Sequence, residues 1–201
     1  MVKSPGDFRV EFLWRKAIHS KWLCMVVVLL LLATGTVGLC PVARAHQIET
    51  LELEYKLKAA FLYNFARFIE WPKVNDPSFP FIICVLGKDP FGAALSGLQG
   101  RSIDDQAIKL HYAASISTGL DQCQMLFVSK SEKQNMHQVI RFTKNKPIVT
   151  VSDIEGFAAT GGMFEFITTE GKLSFIINNS KAQACGLRVN SSLLNLALNV
   201  Q

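Results

Sequence analysis

Three short stretches decide most of what this chain can become. Residues 79–87 read FPFIICVLG, residues 124–129 read QMLFVS and residues 147–152 read PIVTVS. In an extended strand, successive side chains point to opposite faces. In the first stretch Phe81, Ile83 and Val85 then share one face, and Ile82, Cys84 and Leu86 share the other. Both sets are apolar. Such a strand is covered on both sides, as happens in parallel sheets flanked by helices. The expectation is an α/β fold: a mixed β-sheet flanked by helices on both faces, in a single domain.

The segments between these runs fit that architecture. KAAFLYNFARFIEWP (58–72) belongs to a helix expected from Thr50, a residue suited to the N-cap, as far as Trp71-Pro72. Glu52/Lys56 and Glu54/Lys58 stand four apart with the acid first, the better orientation on a helix surface. Asn64, Arg67 and Glu70 recur every three residues and form one narrow polar stripe. The rest of the arc, with Phe61, Tyr63, Phe65, Phe68 and Trp71, is apolar. So wide an apolar arc predicts burial on more than one side, against the sheet and against a second helix or a second subunit. In GKDPFGAALSGL, Asp89 is read as an N-cap and Pro90 as the first residue of a short helix. IKLHYA (108–113) alternates and reads as a strand. SEKQNMHQVIRFTK (131–144) reads as an amphipathic helix, with Ser131 and Gln134 as a capping box. Ser152 and Glu155 suggest a second box opening DIEGFAAT. Residues 163–168 and 173–178 read as a hairpin turning at Glu170-Gly171. A last helix is expected over 191–199.

The N-terminus is a targeting segment in form. Arg9, Arg15, Lys16 and Lys21 precede an uncharged apolar run over 22–39, and Ala43-Arg44-Ala45 has the small-x-small pattern of a signal-peptidase site. The expectation is a signal peptide over 1–45 and a mature domain over 46–201. An uncleaved anchor is the competing reading, since the run is just long enough to span a bilayer. Gly35, Thr36 and Gly38 weaken its helical end and favour cleavage. Of 21 Lys and Arg residues six precede His46, and of 16 Asp and Glu residues two do. The overall +5 therefore belongs largely to the leader, and the mature domain carries no basic footprint for nucleic acid. In the oxidising compartment to which export leads, disulfides persist. Cys84, Cys123 and Cys185 remain there, an odd number, so one is left over or pairs between chains.

Motifs for catalysis or metal binding are lacking. His46, His111 and His137 stand in no metal-ligand spacing, and no nucleophile elbow or P-loop occurs. No cofactor is expected, and the chain is read as a non-enzyme. GKDPFG follows a buried strand like a phosphate-binding turn but lacks the glycine spacing of one. Two readings stand: a binding protein that acts on a protein partner, and a periplasmic small-ligand-binding protein with its site near GKDPFG. For the first, Ile176 is expected to be exposed among Ser174 and Asn178, with Phe164 beside it in the paired strand. Phe164 and Ile176 are the candidate partner-binding residues, as an apolar patch with a polar rim.

KAAFLYNFARFIEWP, FIICVLGKDPFGAAL, CQMLFVSKSE, PIVTVSDIEGFAATGGM and LSFIINNSKAQACGLRVNSSLL occur in this order. Together they resemble the YfiR family of periplasmic proteins over about residues 55–198. Asn64, Phe65, Trp71, Pro72, Gly161 and Gly162 are the motif residues singled out as structural. The resemblance implies a non-catalytic, dimeric protein that binds the periplasmic sensor domain of an inner-membrane diguanylate cyclase. It implies repression of that enzyme, with lower cyclic di-GMP and less biofilm, and release by an outer-membrane lipoprotein. It also implies a disulfide between Cys84 and Cys123. A second family bridge has no counterpart, since Ala158, Phe164 and Glu165 stand in its neighbourhood. Cys185 then has no partner within the chain.

Overall fold

A computed structural model describes residues 41–72, 79–116 and 118–201. The apolar run expected to form the signal core lies outside the described residues. Among those described, no helix is long and apolar enough to cross a membrane. Residues 50–201 form one compact unit.

The first helix, α1 (Pro41–Arg67), is longer at its start and shorter at its end than the sequence suggests. Thr50 lies within it and not at its start. At the other end the Phe68 N–H is shared between the carbonyls of Asn64 and Phe65, and the chain leaves as β1 (Ile69–Glu70). Glu70 thus sits on a strand and does not extend the helical stripe of Asn64 and Arg67.

The elements that follow are β2 (Phe81–Leu86), α2 (Ala93–Ser96), β3 (Ser102–Ile103), β4 (Gln106–Ala113) and β5 (Met125–Val128). Then come α3 (Met136–Thr143), β6 (Val149–Ser152), β7 (Phe164–Thr169), β8 (Lys172–Ile177) and α4 (Asn179–Ala184). The chain ends with β9 (Arg188–Val189), α5 (Ser191–Leu194) and β10 (Asn199–Val200). Short 3-10 turns, Thr118–Gln122 and Lys130–Asn135, precede β5 and α3.

Among the described residues the main sheet has eight strands, in the spatial order β10-β8-β7-β6-β5-β2-β4-β3. From β4 to β7 all pairs are parallel, whereas β3 and β8 join the sheet antiparallel. The expected mixed sheet is present, and its strands divide the core as the alternation requires. Phe81, Ile83, Val85, Met125 and Phe127 join one cluster beneath α1; Cys84, Leu86, Leu126 and Val128 join another beneath α3.

On its sheet side α1 presents Tyr55, Ala59, Leu62, Phe65 and Ala66, at the three- and four-residue steps of one helical face. Phe65 is fully buried and contacts three sheet aromatics, with ring centroids 4.7 Å from Phe164, 5.6 Å from Phe166 and 5.0 Å from Phe175. Such pairs contribute about 0.5–1.5 kcal/mol each beyond the area they bury. The far side is exposed at Leu53 and Leu57, and so is Leu51, one turn before Tyr55 on the sheet-side stripe. Tyr63 is half-buried, with the Arg101 guanidinium 4.2 Å and that of Arg67 5.8 Å from its ring centroid.

Several helix ends differ from expectation because their capping side chains serve other partners. Asp89 accepts from the N–H groups of Phe91 and Gly92, and so closes its own loop; α2 starts later, at Ala93. Ser131 accepts from the Lys88 N–H and opens no capping box. Ser152 donates to the Val128 carbonyl and accepts from Ile154, and the segment after it is a series of turns. The last helix is a single turn, because Asn199 and Val200 pair with β8. The hairpin turns where expected, with Glu170 at φ 51° and Gly171 at φ 74°, both in the left-handed region that two-residue turns require.

Candidate functional site

The parallel strands end at one level: Leu86 is in register with Val128, Val128 with Ser152, and Ser152 with Glu165. Beyond that level β7 continues alone with β8, so Phe166, Ile167 and Thr168 overhang the ends of the other strands. In open α/β sheets the crevice beyond the strands' carboxyl ends is where ligands bind. Here that crevice holds a buried ionic cluster.

Asp153 follows β6 directly. Its Oδ2 accepts from the Lys58 ammonium at 2.6 Å and from the Tyr55 hydroxyl at 2.9 Å. Lys58 also meets Glu54 Oε1 at 2.6 Å, one helical turn earlier on α1. The Lys58 side chain is 1% exposed and that of Asp153 3%, so both charges are out of water. Lys130 stands at the mouth, 3.7 Å from Asp153 and 64% exposed. The Lys58 ammonium lies 4.3 Å from the Tyr55 ring centroid, adding a cation–π contact. Burial first, then the charge and hydrogen bond of Asp153, push the Tyr55 hydroxyl's ionisation well above the ordinary tyrosine range. Tyr55 therefore holds its proton and acts as a donor.

Beside this cluster Glu165, on β7, turns its carboxylate toward the loop after β6. Its two oxygens accept from the N–H groups of Gly156 and Ala158, both at 2.9 Å. A buried carboxylate with two backbone donors is satisfied and fixes that loop. Glu54, Lys58, Lys130, Asp153, Glu155 and Glu165, with residues 166–168, line a cleft of ≈ 410 Å³. None of these polar residues is a site candidate from the sequence. Lys58 carries a legible signal all the same: it is three residues after Tyr55 and four before Leu62, on the buried stripe of α1.

The residues singled out from the sequence are dispersed. Cys84 and Cys123 form a disulfide with Cα atoms 5.9 Å apart, and Cys185 is free and buried. Phe164 and Ile176 do not form a shared exposed patch. Phe164 is 0% exposed and packs under Phe65. It pairs across the hairpin with Ile177, whereas Ile176 pairs with Glu165 on the opposite face and lies half-buried beside β10. Trp71 donates to the Ala66 carbonyl at 2.8 Å and meets Phe81 edge-on at 5.0 Å. Trp71 and Pro72 line a separate cleft of ≈ 300 Å³ near Gln124 and Pro147, at the strands' opposite ends. Asn64 is exposed. The GKDPFG turn satisfies itself: Ser131 and Asp89 take the N–H groups of Lys88, Phe91 and Gly92. Asp89 thus holds the N–H groups an incoming phosphate would need.

Gly161 has φ 110°, and Gly162 lies against the Phe157 ring, where an added Cβ would collide. Phe157 is fully buried, so its ring would have to shift within the core to make room. Gly162→Ala is expected to cost about 1–3 kcal/mol, seen as a lowered Tm. An unchanged Tm would mean that the ring turns aside freely.

A family model described as YfiR/HmsC-like matches residues 55–198. No curated protein matches the chain. The match starts at Tyr55 and takes in Lys58, Asp153 and Glu165, so the ionic cluster apart from Glu54 falls inside it.

Proposed function

The chain belongs to the YfiR/HmsC-like family, and from that membership we propose that it is a regulatory binding protein of the periplasm. In this reading residues 1–45 direct export. The domain over 46–201 then binds the periplasmic sensor domain of an inner-membrane diguanylate cyclase and holds the enzyme off. Cyclic di-GMP and biofilm formation fall as a result. The protein acts as a homodimer without catalysis of its own, and an outer-membrane lipoprotein relieves the repression by sequestering it. The observation that carries this reading is the family match, which spans the sheet from α1 to the residues before β10. The covalent tie between Cys84 and Cys123 suits an oxidising compartment.

The test is intracellular cyclic di-GMP in a strain deleted for this gene, with and without the gene of the diguanylate cyclase proposed as its partner. Deletion is expected to raise cyclic di-GMP, and the rise is expected to vanish in the double deletion. An unchanged level, in a parent strain that demonstrably makes the protein, overturns the repressor reading.

A further inference from the structure

Among the described residues one buried side-chain atom has no hydrogen-bond partner, Asp153 Oδ1. Its sister oxygen is crowded, facing Tyr55, Lys58 and Lys130. An unpartnered oxygen on a side chain only 3% exposed is costly, more so when the group is charged. Asp153 lies in the wall of the ≈ 410 Å³ cleft, a volume suited to a small metabolite.

The other polar groups of the cleft are largely committed. Glu165 is bound to two backbone N–H groups. The Lys58 ammonium lies between Glu54 and Asp153, and Glu54 Oε1 also accepts from Thr168. What is left for a visitor is the exposed carboxylate of Glu155 and, once the cleft opens, Asp153 Oδ1, which is buried as it stands; both are acceptors, beside the apolar flank of Phe166 and Ile167. This pair of acceptors does not suit an anion, because the buried cation is already shared by two carboxylates. It does not suit a metal ion either, because no three His, Cys, Asp or Glu groups gather among the described residues. It suits a hydrogen-bond donor that carries positive charge. Lys130 reaches for the same carboxylate from outside, but at 3.7 Å it is beyond the 2.7–2.9 Å typical of a charge-assisted hydrogen bond. It occupies the mouth as a loosely held competitor.

The geometry points to a binding site for a small ligand bearing a primary ammonium group, which donates to Asp153 Oδ1 and is flanked by Glu155 as Lys130 swings away. Aliphatic diamines and amino sugars both offer this group on a skeleton of the right size. The site is independent of which protein the chain binds.

Titration calorimetry on the purified, disulfide-intact protein tests this with 1,4-diaminobutane and glucosamine. Their matched neutral controls are 1,4-butanediol and N-acetylglucosamine. At least one amine is expected to bind and its neutral control to fail, and the amine that binds identifies the skeleton. Glu155→Gln, far from the Lys58 contact, is expected to weaken binding about two- to fivefold. Lys130→Ala is expected to tighten it by a similar factor, an effect that a merely structural Lys130 would not produce. Absence of binding by both amines at millimolar concentration overturns the proposal. So does equal binding of the neutral controls, or weaker binding by Lys130→Ala.

Discussion

Lys58→Met is expected to destabilise the protein by about 3–5 kcal/mol. Methionine keeps the length and most of the volume of the lysine stem, so little packing is lost. What is lost is the counter-charge. Asp153, 3% exposed, would keep the Tyr55 hydroxyl and a distant, solvated Lys130, and Glu54 would lose its ammonium 2.6 Å away. Breaking a buried pair from one side leaves an uncompensated charge, whereas removing both partners together is often close to neutral. The double variant Lys58→Met/Asp153→Leu is therefore expected to recover much of the loss. Urea unfolding measures this as a fall in midpoint for the single variant and a partial return in the double, with an unchanged slope. A single-variant loss below about 1 kcal/mol would mean that water reaches the pair. The Tyr55 contribution has its own pH window. Its ionisation lies higher folded than unfolded, so its share of stability is intact below the unfolded value of ~10 and is lost progressively as pH rises from there through the folded one.

The same pair marks where sequence reasoning stops. Lys58 is four residues after Glu54, and that spacing describes a solvated surface pair just as well as it describes a buried one. What separates the two cases is Asp153, 95 residues away in the chain, and only the docking of α1 over the end of β6 brings it there. The strands are more legible. A stretch apolar on both faces has few places to go, and Phe81, Ile83 and Val85 divide from Cys84 and Leu86 between two cores as the period of two requires. Turn chemistry at Glu170-Gly171 is equally local and equally readable. Ends are legible only where no distant partner intervenes. The aromatic segment would continue as helix to Trp71 on its own preferences. Instead Ile69 and Glu70 pair with Val189 and Arg188, and the Phe68 carbonyl accepts from Asn190. Ser131 and Ser152 have the composition of capping boxes, yet both hydroxyls are drawn to the carboxyl ends of the central strands. The Phe164/Ile176 patch fails for a different reason. Alternation within one strand does not say which side of the hairpin α1 will cover, and α1 covers the side of Phe164.

Removing the disulfide by Cys84→Ala/Cys123→Ala is expected to cost about 4 kcal/mol on the chain-entropy model. The bridge closes a sequence separation of 39 residues that contains α2, β3 and β4, one whole edge of the sheet. Cys84 lies on the central strand β2, and Cys123 lies just before its neighbour β5, both in the core beneath α3 with Leu120, Leu126 and Val139. Their Cα separation of 5.9 Å is ordinary for a disulfide, so the bridge joins positions that the fold already brings together. Its effect is therefore on the unfolded chain, which it prevents from releasing that edge. Single domains are stable by only about 5–15 kcal/mol, so the loss is a large share of the total. Reductant is expected to move the urea midpoint of the parent protein toward that of the double variant, and to leave the double variant unmoved. Cys185, the remaining thiol among the described residues, is buried and free in both proteins, so it is common to the comparison. A reductant effect of equal size in the double variant would trace the sensitivity to Cys185 instead. A parent midpoint insensitive to full reduction would show that the β2–β4 pairing holds the edge without the bridge, and that the disulfide contributes little to the folded state's advantage.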